Sequence, residues 1–217
     1  MDGQRFNRSI RRGYALIFAF VFILYIVLAL LPAVMMHRGW ERPAEWVYKY
    51  YGLLCHQMPQ RSWFLFGKQA WYPAAAPEGS GMLSFTGASG ISTGFSAGRN
   101  FYGTPEMGYK MAICQRDTAI YGAMTVFCLI FSLSGCRIPK PGWILPFFIG
   151  VLPIAADGIT QLLGNALPAF FPFRESTPLL RTVTGALFGF CLCWYLLPSL
   201  ENSLRQDQDT DTAEQVN

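Results

Sequence analysis

The chain has 217 residues, 52% hydrophobic and only 14% charged, with a net charge of +4. Soluble domains carry about 25% charged residues, so the composition excludes an ordinary soluble domain and points to lipid. The small basic excess gathers at the N-terminus, where membrane orientation accounts for it and nucleic acid is excluded as a partner. Residues 1–13 carry Arg5, Arg8, Arg11 and Arg12 against Asp2 alone. Short basic flanks stay cytoplasmic, so the N-terminus is expected inside. Residues 14–36 form the first uncharged apolar run. It is longer than the roughly 7–15 residues of a signal-peptide core and reads as a retained transmembrane helix.

Residues 37–111 follow as a long extracytoplasmic segment. Its first part is dense in rings, among them Trp46, Tyr48, Tyr50, Tyr51 and Trp63, the residue types that favour the headgroup zone. An interfacial helix is expected over 43–54, with Pro43 suited to a first turn. The stretch from Gly79 to Gly98 has no charge, and Gly90, Gly94 and Gly98 recur every four residues. It reads as a loop, with a packed small-residue helix as the alternative. A second span is expected over 112–136. Arg137 and Lys140 beyond it flank a Pro-rich turn on the cytoplasmic side. A third span over 141–164 runs outward and a fourth over 179–200 returns. Residues 201–217 are polar and acidic, and are expected to be a disordered cytoplasmic tail. The fold class is therefore an all-α integral membrane protein of the cell membrane. It has four transmembrane helices, both termini cytoplasmic, and its long outer segment between helices 1 and 2.

This topology puts the scattered polar residues at one depth. Asp157 lies about 14 residues into the third span, roughly 21 Å at 1.5 Å per residue, in the outer half of the bilayer. Gln161 follows one turn later on the same face. Arg181 opens the fourth span and is the expected ion-pair partner of Asp157. Arg174 and Glu175 lie in the short outer connection. Cys114, Arg116 and Asp117 stand at the outer mouth of the second span, and Cys55, His56 and Arg61 lie in the outer segment. Ionisable groups at such depths are costly and usually functional.

Cys55, His56, Cys114 and Asp117 are the candidate metal ligands, because thiolate, imidazole and carboxylate are the ordinary donors to zinc or a similar divalent transition metal. A Cys55–Cys114 disulfide is the alternative on an oxidising side of the membrane. Asp157 and Glu175 are the candidate general bases, and Arg116, Arg174 and Arg181 the candidate anion-holding groups of a catalytic site. Cys128, Cys136, Cys191 and Cys193 lie in or beside spans, where cysteine behaves as a small hydrophobe, and receive no role.

Four stretches carry a resemblance. Cys55-His56-Gln57-Met58-Pro59-Gln60-Arg61-Ser62, Cys114-Gln115-Arg116-Asp117-Thr118-Ala119-Ile120-Tyr121, Asp157-Gly158-Ile159-Thr160-Gln161, and Arg174-Glu175-Ser176-Thr177 with Leu180-Arg181 and Thr184-Gly185 occur in this order. The chain resembles the DUF2085 family of prokaryotic multi-pass membrane proteins over Cys55 to about Tyr195. The resemblance implies a class and no particular activity. Many members carry Cys-x-x-Cys where this chain has Cys114-x-x-Asp117, which removes a redox dithiol at those two positions. Ala119 stands where members usually have Gly, and 72–110 reads as an insertion.

Three functions are compatible with these residues. One is a membrane enzyme acting on a lipid or lipid-linked anion. Another is a small transporter lined by Asp157, Arg181 and the Pro-interrupted third span. The third is a scaffold stapled by a structural metal or disulfide. The lipid bilayer is the expected partner in all three.

Overall fold

The computed structural model describes residues 2–76, 79–91, 98, 100–167, 170 and 174–214, with side chains left out of the description at 2–12, 165 and 207–214. Helix α1, Asp2–His37, opens the chain. Helix α2, Glu41–Tyr51, turns back beside it and buries Ala44, Tyr48 and Tyr51. Their spacing of four and three residues puts all three on one helical face. Tyr51 donates its hydroxyl to the Tyr25 carbonyl of α1 at 2.7 Å. The helix expected over 43–54 is therefore present, begins two residues earlier and stops three earlier.

The segment between α2 and the second apolar helix also builds a sheet, which corrects the all-α expectation to a mostly helical fold. Strands β1 (Ser62–Leu65), β2 (Gly103–Thr104) and β3 (Gly108–Cys114) pair antiparallel in the order β1-β3-β2. The register sets Ser62 opposite Cys114 and Phe64 opposite Lys110. Gly108 makes the tight β2–β3 link, with φ +79° and a Cβ position only 2.2 Å from the Leu65 carbonyl. Burial of both faces of β3 explains why hydropathy alone extends the second span too far. Met111, Ala112 and Ile113 are all buried, so strand and helix join as one apolar run, and residues expected in the helix from 112 belong to β3. A short helix α3, Phe85–Ser89, is capped by Ser84. It packs Phe85 with Phe64, Tyr72 and Met107 under the sheet. The Gly90/Gly94/Gly98 reading falls largely outside the described residues.

Helix α4, Gln115–Leu133, begins where β3 ends. The third span starts with a turn at Ile144–Pro146, passes through a π-helical turn at Phe147–Val151, and continues as α5, Leu152–Ala166. Pro153 has no N–H for the carbonyl of Ile149, so regular α-helical bonding cannot pass this point. Helix α6 runs Pro178–Glu214. Its backbone continues past Leu200 through the tail expected to be disordered. Residues 201–214 contain neither Gly nor Pro, and Arg205 donates to Glu201 one turn back at 3.0 Å, so nothing local ends the helix.

Four helices are long and apolar enough to cross a membrane: Gly13–His37, Gln115–Leu133, Ile144–Gly164 and Pro178–Gln206. Their core joins Ala15 and Ala19 of α1 to Phe127, Cys128 and Phe131 of α4 and Leu197 of α6. Helix α6 meets α4 at two glycines one turn apart. A Cβ at Gly185 would lie 2.8 Å from the Arg116 carbonyl, and one at Gly189 would lie 2.3 Å from the Ile120 carbonyl. Small residues allow such backbone approach between spans. This approach fixes Arg116 beside the start of α6 and so positions the site.

Candidate functional site

The β1–β3 register brings the first two motifs together. Residues 55–61 lead from α2 into β1, and Cys114 ends β3 opposite Ser62. The intervening loop is held by unusual means. Gln57 has φ +52°, a conformation that costs a non-glycine residue about 1–3 kcal/mol. Its side-chain amide donates to the Tyr48 carbonyl at 2.7 Å. The Nζ of Lys110, itself fully buried, donates to the Gln57 carbonyl at 2.8 Å. These contacts turn the backbone directly after Cys55-His56 and set Cys55 against β3.

Cys55, Cys114 and Asp117 form a triad whose ligand atoms all lie within 4.8 Å of one another. Cys114 is also the N-cap of α4, its sulfur accepting from the Asp117 backbone N–H at 3.4 Å. The thiol of Cys114 donates to the sulfur of Cys55. That donated bond holds the Cys55 thiol below its usual range, against the opposing effects of burial and Asp117. Cys114 is pushed up, because ionising it breaks the same bond, and burial and Asp117 act in the same direction. All six cysteines are free thiols, so the Cys55–Cys114 disulfide is not formed in this structure. His56, the fourth expected ligand, lines the same cavity but falls outside the triad.

That cavity measures about 410 Å³ and is walled by Cys55, His56, Cys114 and Asp117 together with Arg61, Arg116 and Arg181. Leu54 and Leu162 line it as well and are 71% and 66% exposed. Burial lowers the Arg61 guanidinium below its ordinary value, and the nearby Arg116 charge adds to this. It stays cationic, since a guanidinium starts far above neutral pH.

The expected Asp157–Arg181 pair is replaced by two separate networks. Asp157 is 4% exposed. It pairs through Oδ2 with Arg116 and accepts from Ser176 at 2.8 Å. Arg174 lies 3.2 Å from Oδ1, an ion pair not aligned as a hydrogen bond. Arg174 also donates to Thr160 of α5. Arg181 is 1% exposed. Its Nη1 donates to the Gln60 carbonyl and to Gln115 Oε1, both at 3.1 Å, and Nη2 lies 3.7 Å from Glu175 Oε1. Glu175 Oε2 accepts from the Ala74 N–H at 3.0 Å. The reason is reach. Arg116 extends from the first turn of α4 to α5, while Arg181 is drawn toward the sheet side by Gln60 and Gln115. Equal depth along two helices does not fix which side chains face each other.

Every expected site residue except His56 thus lies in the triad or in one of the two networks, and His56 lines the cavity beside them. Sequence reasoning missed Gln60, Gln115 and Ser176, the neutral partners that orient the charges, although all three sit inside the motifs quoted above. It also missed Lys110, for which the sequence offers no signal beyond a lone lysine in an apolar strand.

A membrane protein with four apolar helices and a thiol–carboxylate–guanidinium site at one end is the class defined by this geometry. Residues 91–195 match the family model described as a predicted membrane protein, DUF2085. An uncharacterised protein of Methanocaldococcus jannaschii is similar at 28% identity over 196 residues, covering 86% of this chain and 92% of that protein. A match covering so much of the chain cannot avoid Cys55, which precedes the family-model segment. No solved structure matches the chain.

Proposed function

We propose that this protein is a membrane-embedded metalloenzyme that acts at the outer face on a lipid or lipid-linked anion. The observation that carries this reading is the triad of Cys55, Cys114 and Asp117, with ligand atoms within 4.8 Å, on the wall of an arginine-rich cavity. Zinc–sulfur bonds of about 2.3 Å place tetrahedral sulfurs about 3.8 Å apart, so the triad closes on an ion with small side-chain movement. A divalent ion on three protein ligands keeps a position for water and lowers its pKa.

The protein's own groups have distinct parts in this reading. Cys55 and Cys114 each shed a thiol proton when they ligate. Asp117 completes the set of three, and His56, which lies outside the triad, leaves the fourth position to water. Glu175, 3.7 Å from the cavity-lining Arg181, is the general-base candidate. Asp157 is already engaged by Arg116, Arg174 and Ser176, and so acts by positioning Arg116. Basic flanks at 5–12 and 137–140 support an extracytoplasmic placing of the site. Clustering of the polar groups at one end favours an enzyme over a transport path, which needs polar groups through the bilayer.

Elemental analysis of protein purified without chelator tests the reading. About one zinc or other transition-metal ion per chain is expected in the wild type, and its loss in Cys114→Ser. Wild-type protein without stoichiometric metal overturns it.

A further inference from the structure

Arg181 is a buried cation with part of its hydrogen-bonding capacity unused. Its Nη1 is committed to Gln60 and Gln115. Nε and Nη2 have no hydrogen-bond partner among the described residues, and together they form one edge of the planar guanidinium. An unfilled pair of buried N–H groups is expensive, and such an edge suits two oxygens of one anion. Glu175 stands 3.7 Å from Nη2, too far for a hydrogen bond. Arg116 Nε is likewise unpartnered among the described residues, and Arg61, Arg116 and Arg181 all line the cavity that holds the metal triad.

We propose that this cavity seats a phosphate group on the unfilled, buried Nε/Nη2 edge of Arg181, with a further oxygen turned toward the Cys55–Cys114–Asp117 triad. The proposal rests on the metal reading for that last contact only. The charge balance calls for an anion. Arg61, Arg116, Arg174 and Arg181 bring four positive charges; Asp117, Asp157 and Glu175 bring three negative ones. Shape selects phosphate over carboxylate. A carboxylate has two oxygens in one plane, and the Arg181 edge uses both. A tetrahedral phosphate has oxygens left for Arg116, Arg61 and the ion. The exposed apolar walls at Leu54 and Leu162 suit the chain of a lipid carrying that phosphate.

The test measures binding of inorganic phosphate, dihexanoyl phosphatidate and acetate to the purified, metal-loaded protein in detergent. Phosphate or phosphatidate binds and acetate does not. Phosphatidate binding at least tenfold tighter assigns a lipid headgroup; equal binding assigns free phosphate. Arg181→Lys keeps the charge but loses the two-pronged edge, and weakens binding tenfold or more. Glu175→Gln removes the competing carboxylate beside the edge and tightens binding several-fold, which decides the matter if Arg181→Lys does not fold. Acetate binding as tight as phosphate, no binding of either phosphate, or unchanged affinity in Glu175→Gln overturns the proposal. Repeating the titration on chelator-treated Cys114→Ser separates the two readings. Phosphate binding that depends on Arg181 in wild-type protein lacking metal leaves the anion site standing and removes the metal. Stoichiometric metal with no phosphate binding does the reverse.

Discussion

Two pairs of cysteines teach what makes a thiol chemically useful here. Cys55 and Cys114 meet at one end of the bundle, and Cys128 and Cys193 meet in its interior. In each pair the two side chains hydrogen-bond to each other, and three of the four residues are buried. The difference lies in their surroundings. Cys128 and Cys193 share a cluster with Ala15, Phe127, Phe131 and Leu197, and among the described residues no third donor stands within metal-ligating distance of them. Cys55 and Cys114 have Asp117 within ligand distance and three arginines on the same cavity. Thiol proximity is common to both pairs; among the described residues only one has a third donor and a polar cavity beside it.

The largest expected effect tests this contrast directly. Cys114→Ser empties the metal site, whereas the double variant Cys128→Ala, Cys193→Ala keeps the wild-type metal content by elemental analysis. Equal loss in both would abolish the distinction. Next comes Asp157→Asn, which strips a buried carboxylate from Arg116 and Arg174. Breaking a buried pair from one side costs about 3–5 kcal/mol, read as a lowered thermal midpoint in detergent. The Cys128→Ala, Cys193→Ala variant should cost about 1 kcal/mol per site, the scale of a small core truncation. Arg205→Gln, at the end of the bundle away from the site, should cost well under 1 kcal/mol. Arg205 is about half exposed and solvent screens its pair with Glu201, while the Tyr14 hydroxyl still donates to Glu201 at 3.0 Å. A larger loss there would mean that this end depends on charge as heavily as the other.

Much of the site was legible because the motifs kept its members together. Cys-Gln-Arg-Asp carries the N-cap thiol, the Arg181 partner, the Asp157 partner and the third metal donor in four consecutive residues. Arg-Glu-Ser likewise carries groups that reach Asp157, Arg181 and Asp157 again. The pairing within the site was not legible. Asp157 and Arg181 share a depth, but helix rotation and the reach of Arg116 decide the partner.

The sequence by itself determined four apolar spans, a polar cluster at one end, and the exclusion of a dithiol at 114 and 117. Those follow from hydropathy, from the 1.5 Å rise per residue and from side-chain identity, all of which are local. Only the tertiary structure decided that 108–114 is a strand, that its register sets Ser62 opposite Cys114, and that Gly185 and Gly189 let α6 close on α4. Each depends on contacts between segments tens of residues apart. Apolar runs read the same in a buried strand and a buried helix, so the partner across the gap settles which forms.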